Sequence, residues 1–250
     1  MSITSKNTKN IFDIKKNRGF TLVELIVVLV ILAILAAVLI PALLGYIDEA
    51  KKKEDIVNAK ALMTALQSSL SEEYGRNISN FSAMSEDKDI IMCRGDDKEK
   101  YKSFTSSIFE KTGVDPNPFL LVFYTLKVDG KNYHTSKVSD QHAAFTCYSV
   151  VYWRDKESMP VYYDFINNQW GEGNPYSDDL VKRGENKVQS GPLKGKQIRV
   201  CVVAGTSEYV NSKSDKPDKI VMNINNMIMK KVNYRGTLNK TNYDNKIVIK

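Results

Sequence analysis

The side chains of this chain best suited to chemistry are three thiols and two imidazoles: Cys93, Cys147 and Cys201, with His134 and His142. Three thiolates and one imidazole complete the tetrahedral set that structural zinc takes, with His142 or His134 as the fourth ligand, and such a site would stabilise a loop-rich domain. No two of these residues stand at the C-x-x-C spacing of zinc-binding loops. In Gln197-Ile-Arg-Val-Cys-Val-Val, strand alternation puts Cys201 with Gln197 and Arg199 on one face, opposite Ile198, Val200 and Val202. That is a more polar setting than core filling requires. Two other fates stay open: buried unpaired thiols, or one disulfide, with Cys147 and Cys201 the better pair because both fall on predicted strands. An odd count leaves at least one thiol unpaired within the chain.

Catalysis has few candidates. There is no GxGxxG, P-loop, GxSxG or HExxH pattern. Asp96-Asp97 and Asp178-Asp179 are adjacent in sequence with basic residues close by, which reads as solvated charge rather than an acid/base pair. The expectation is a protein that is not an enzyme and requires no cofactor, with zinc as a structural option. Tyr148, Tyr152, Tyr162 and Tyr163, with Trp153 and Trp170, could stack on single-stranded nucleic acid. Aromatics favour strands for packing reasons, however, and the Lys and Arg residues are scattered rather than striped, so DNA is not an expected partner.

One further reactive group sits where a charge is expensive. Glu24 stands at the head of twenty residues, Leu25 to Leu44, that carry no charge and no hydrogen-bonding side chain. Twenty helical residues span about 30 Å, the thickness of a bilayer's hydrocarbon core. A carboxylate in such a helix costs free energy unless it finds a partner, which argues against a plain single-span anchor. A conventional secretory signal has a shorter apolar region ending at a small-residue cleavage site. Here Ala33 and Ala36-Ala37 lead only into more apolar residues.

The run Arg18-Gly19-Phe20-Thr21-Leu22-Val23-Glu24, behind a Lys-rich leader, resembles the type IV prepilin signature. The likeness continues through Pro41 into an amphipathic helix, covering residues 13 to 74. It implies cleavage between Gly19 and Phe20 by a prepilin peptidase and N-methylation of the new Phe20 amine. It also implies an assembly role for Glu24, facing the Phe20 amine of a neighbouring subunit. The implied partners are other pilin subunits, the peptidase and the pilus assembly machinery of the cytoplasmic membrane, with a host or surface receptor for the head. The protein would begin as a single-pass cytoplasmic membrane protein and end in a cell-surface pilus with its head extracellular. A long head is harder to repeat densely along a filament, so the expected function is that of a minor pilin in adhesion, motility or biofilm formation. The alternatives are a pseudopilin of a type II secretion or competence machine, or a DNA- or receptor-binding head on a pilus anchor.

The formal charge of +7 fits this reading. Lys6, Lys9, Lys15, Lys16 and Arg18 against Asp13 place four of those net charges in the leader. Positive residues beside a span stay on the cytoplasmic side, so the leader is expected inside and the head outside.

The elements that position these residues are a leader at 1–19, a helix at 20–74 and a globular head at 75–250. The helix divides into a membrane and filament half, 20–44, and an amphipathic half, 45–74, with Ile56, Ala59, Met63, Leu66 and Leu70 at helical steps. Pro41 removes one helical bond and is a candidate kink. A short helix is predicted over 97–111, closed by Gly113, and strands over 119–128, 143–154, 160–166, 197–203, 219–224, 227–233 and 246–249. The segments at 77–95 and 171–175 read as irregular. The expected class is α+β: a long N-terminal helix packed on an antiparallel sheet, with a two-lobed head divided at 171–175 as an alternative.

Overall fold

The computed structural model describes residues 19–76, 90–93, 101–127, 138–173, 181–182, 187–205 and 247–248. The strands predicted at 219–224 and 227–233, the leader through Arg18, and His134 lie outside the described residues. The chain separates into two units, through Glu49 and from Ala50 onward. Helix α1 (Leu22–Arg76) contributes to both.

In the first unit every residue from Leu22 to Glu49 is exposed, and the backbone stays helical through Pro41. Among the described residues this is the one helix long and apolar enough, by length and composition, to cross a membrane.

In the second unit α1 buries Asp55, Ile56, Ala59, Leu62, Ala65, Leu66, Ser69 and Leu70, a stripe repeating at three and four residues. The stripe packs on a seven-stranded sheet of order β1-β8-β2-β3-β4-β5-β9. Its strands are β1 (Ile90–Met92), β2 (Leu120–Leu126), β3 (Ser149–Trp153), β4 (Val161–Asp164), β5 (Gln169–Glu172), β8 (Ile198–Gly205) and β9 (Ile247–Val248). A two-stranded ribbon, β6 (Val181–Lys182) with β7 (Lys187–Val188), forms a separate small sheet, joined by a bridge from Lys187 to Gln197 just before β8. All the sheet pairings are antiparallel except β1 with β8, which is parallel, so the expected antiparallel sheet carries a parallel edge. A bulge between Leu121 and Val122 shifts the register of β2 against β8. Two short helices among the described residues, α2 (Lys102–Thr112) and α3 (Val138–Ala144), belong to the same unit. Gly113 closes α2 with φ 66°, a left-handed conformation that suits glycine, and its N–H returns to the Phe109 carbonyl.

Both faces of the sheet are covered. Leu121, Phe123, Val150, Tyr152, Val161, Cys201 and Val203 lie under α1, with Phe104 and Ile108 of α2 in the same core. On the other face Leu120, Val122, Tyr124, Val151, Trp153, Ile198, Val200 and Val202 form a second core with Met159 and Val188. A strand buried on both faces reads as a continuous apolar run, which is why Leu-Leu-Val-Phe-Tyr-Thr-Leu shows no alternation.

Three predicted boundaries need correction. The strand expected from Ala143 begins only at Ser149, because α3 runs through Ala144. Segment 171–175 is not wholly irregular, since Gly171 and Glu172 pair with Tyr162 and Val161. The irregular stretch 77–95 holds β1.

Candidate functional site

At the start of α1 the chain solves locally the problem of a charge beside an apolar helix. Thr21 precedes the first helical residue and Glu24 follows three positions later. The Thr21 N–H and the Thr21 hydroxyl each donate to Glu24 Oε2 at 2.8 Å. The Glu24 N–H donates back to Thr21 Oγ1 at 3.2 Å, and Leu25 N–H reaches the Thr21 carbonyl. This is a reciprocal capping box, which satisfies two of the orphan donors at a helix start. Both Thr21 donors converge on one carboxylate oxygen, and among the described residues no bond is made to Glu24 Oε1. Phe20 is 84% exposed, and among the described residues nothing lies within 4 Å of where a Gly19 Cβ would stand. Thr21 was not singled out from the sequence, although Thr-x-x-Glu before an apolar run is a readable capping signal.

Within the second unit, polar contacts hold α1 at both ends of its apolar stripe. Toward Ala50, Lys52 Nζ lies 3.3 Å from Glu172 Oε1, and Asp55 Oδ1 lies 3.0 Å from Arg154 Nη1. Toward Arg76, the Gln67 amide bridges two backbone groups: its Nε2 donates to the Phe145 carbonyl at 3.2 Å, and its Oε1 accepts from Cys147 N–H at 2.8 Å. Lys111 of α2 reaches Glu72 at 2.6 Å and Ser69 at 3.1 Å. Tyr74 meets His142 Nε2 at 3.2 Å with ring centroids 4.8 Å apart.

The structure places the candidate zinc ligands as follows. Cys93, Cys147 and Cys201 are all buried free thiols in the core under α1. Burial, with Cys201 nearby, pushes the Cys147 thiol far above the ordinary range, and its Sγ donates to the Ser149 carbonyl. His142 belongs to the exposed pair with Tyr74. Among the described residues no three His, Cys, Asp or Glu side chains are grouped so as to hold a metal ion. Cys201 does lie on the face opposite Ile198, Val200 and Val202, as strand alternation requires, but that face is not polar surface. Arg199 and Cys201 are 1% and 0% exposed, so the side that looked polar is interior.

The chain matches the family model of the prokaryotic N-terminal methylation motif over residues 14–40. It is similar to the type IV major pilin protein PilA of Myxococcus xanthus (strain DK1622), 47% identical over 58 residues. Those residues are 23% of this chain and 26% of that protein, so the likeness spans about a quarter of the relative's length. No solved structure matches the chain.

Proposed function

We propose that this chain is a structural pilus subunit of the type IV pilin kind, a reading supported by the methylation motif matched over residues 14–40 and by the likeness to a major pilin over 58 residues. The observation that carries the reading is the helix start itself. Among the described residues nothing crowds Gly19 and Phe20 is exposed, the Thr21–Glu24 box follows at once, and an apolar helical stretch, exposed from Leu22 to Glu49, follows that. On this reading a prepilin peptidase cuts after Gly19, and the freed Phe20 amine is methylated.

The box supports a specific division of labour. Glu24 Oε2 is held by Thr21 of its own chain, and Oε1 is the oxygen that would take the Phe20 amine of a neighbouring subunit. A carboxylate half-satisfied within its own helix crosses the apolar phase at lower cost than a bare one, and an incoming ammonium then sets subunit register. Apolar side chains from Leu25 to Leu44 exchange lipid for neighbouring helices as the filament forms.

We assign the chain to the minor subunits, on the size of the part that follows the helix. Recovery in sheared filaments at a small fraction of the bulk subunit supports that rank, and recovery as the dominant component reverses it. The processing pathway is tested by intact mass from cells with and without the peptidase. The expected product begins at Phe20 and is one methyl group heavier than its sequence. A chain still carrying residues 1–19 in cells with active peptidase overturns the reading.

A further inference from the structure

Two nearly buried carboxylates lie close enough to repel each other where the first turns of α1 in the second unit lie on the sheet. The Asp55 and Glu172 side chains are each 5% exposed. Among the described residues Glu172 has Lys52 as its own, unshared cation at 3.3 Å, although its Oε1, like Asp55 Oδ1, makes no hydrogen bond. Asp55 has Arg154, but that guanidinium is shared, because its Nε also donates to Asp155 Oδ2 at 2.8 Å. Asp155 is the better-held partner. Its Oδ1 accepts from the N–H groups of Glu157 and Ser158 at 2.9 and 2.7 Å. Burial works against its charge, yet Arg154 and these N–H groups keep its carboxyl below the ordinary range. Arg154 is thereby matched by Asp155, and Asp55 is the surplus anion of the cluster. Its Oδ1 lies close to Arg154 without meeting it in hydrogen-bond geometry.

The groups that act on Asp55 come from each element packed there. Glu54 lies beside it on α1, Arg154 and Asp155 follow β3, and Glu172 ends β5. Tyr152 of β3 also faces it, with its hydroxyl hydrogen-bonded to Asn58. Three of these are further carboxylates. We propose that this seam is a proton-operated latch: the α1 turns around Asp55 are held most firmly on the sheet when Asp55 is protonated, and loosen when it ionises. A neutral carboxyl needs no cation of its own, can donate one hydrogen bond, and removes a negative charge from beside Glu172 and Asp155. An ionised one keeps a surplus charge out of water.

The direction in pH follows from the same cluster. Burial, which outweighs the attraction of Arg154 and is joined by repulsion from Asp155, Glu54 and Glu172, raises Asp55 to about 6 from 3.8. The docked state therefore binds the extra proton. Its contribution is complete below about pH 3.8 and is lost as pH rises through about 6. The latch is independent of the filament reading, since every group in it lies in the second unit.

The test is amide hydrogen exchange of the full chain in detergent micelles at about pH 5 and about pH 7.5, corrected for intrinsic exchange. It is read on peptides covering residues 50–60. Opening of this segment should be on the order of tenfold more frequent at the higher pH, the factor that one retained pKa unit supplies. Asp55→Asn, which keeps the shape and removes the charge, should hold the segment closed equally at both values. Equal protection of the wild type at the two pH values overturns the latch, as does a pH dependence that survives in Asp55→Asn. Should the variant fold poorly, carbon NMR of the wild-type Asp55 carboxyl decides: titration near pH 6 supports the latch, and titration near the ordinary aspartate value overturns it.

Discussion

From Leu22 to Glu49 no side chain of α1 is buried, whereas from Ala50 to Arg76 eight are, although the backbone is helical throughout. The two stretches differ in what must hold them. The later one has its partners inside the chain: Leu62, Leu66 and Leu70 rest in a core with Leu121, Phe123 and Val150. The earlier one presents Leu, Ile and Val side chains on every side, about half of each exposed. A helix apolar all round is stable only in lipid or among other helices. Substitutions in the first stretch should therefore act on what the protein joins, and substitutions in the second on whether it folds.

The largest separation of these effects is expected at Glu24. If Glu24 pairs with a neighbouring subunit's Phe20 amine as proposed, Glu24→Ala leaves that amine buried without its anion, a loss of about 3–5 kcal/mol. That corresponds to a hundredfold or greater fall in incorporation, read as the variant's abundance in sheared filaments against its abundance in membranes. The thermal unfolding of residues 50–250 should not change, because neither Glu24 nor its partner Thr21 lies in that unit. Normal incorporation of the variant would break the comparison at its root.

Leu66→Ala inverts the pattern. Leu66 is fully buried, so the truncation costs about 2–5 kcal/mol of head stability, measurable by denaturant unfolding. On the proposed reading, processing after Gly19 should proceed as in the wild type, since Leu66 belongs to the core of the second unit and Gly19 to the first unit. A loss of processing equal to the loss of folding would show that the two stretches are not separable.

How far each stretch could be read in advance follows the same line. The first stretch is specified by local composition: the apolar run, Glu24 and the basic leader are visible without any partner. Even its capping box is local, since Thr21 and Glu24 stand at the Thr-x-x-Glu spacing that closes one. The head depends on contacts distant in sequence. The apolar stripe of α1 was legible at Ile56, Ala59, Leu66 and Leu70, yet Met63 is only partly buried, while Asp55, a charged residue, is buried because β3 and β5 close over it. Strand β1 is three residues inside a polar stretch, and its parallel pairing to β8 leaves no local trace. Strand β5 looked like a loop because of Gly171. That glycine is required where it sits, since a Cβ there would come within 2.9 Å of the Tyr162 ring paired across from it. The buried thiols show the same limit, because alternation sorts residues into faces and cannot say which face another element will cover.

The smallest effect expected tests the polar contacts that hold the far end of the stripe. Gln67 satisfies one backbone acceptor and one backbone donor, the Phe145 carbonyl and the Cys147 N–H, at the link between α3 and β3. Gln67→Ala leaves both without their partner in a half-buried setting where water can replace part of what is lost. The cost should therefore be about 1–2 kcal/mol, below that of Leu66→Ala. Gln67→Glu separates the two bonds: it keeps the acceptor for Cys147 N–H and replaces the donor with a carboxylate facing the Phe145 carbonyl. It should thus be at least as destabilising as the alanine variant above about pH 5 and recover as the glutamate protonates in acid, when its O–H can donate. A Glu variant as stable as the wild type at neutral pH would show that the Phe145 contact contributes nothing, leaving the Cys147 N–H bond as the part of Gln67 that the fold uses.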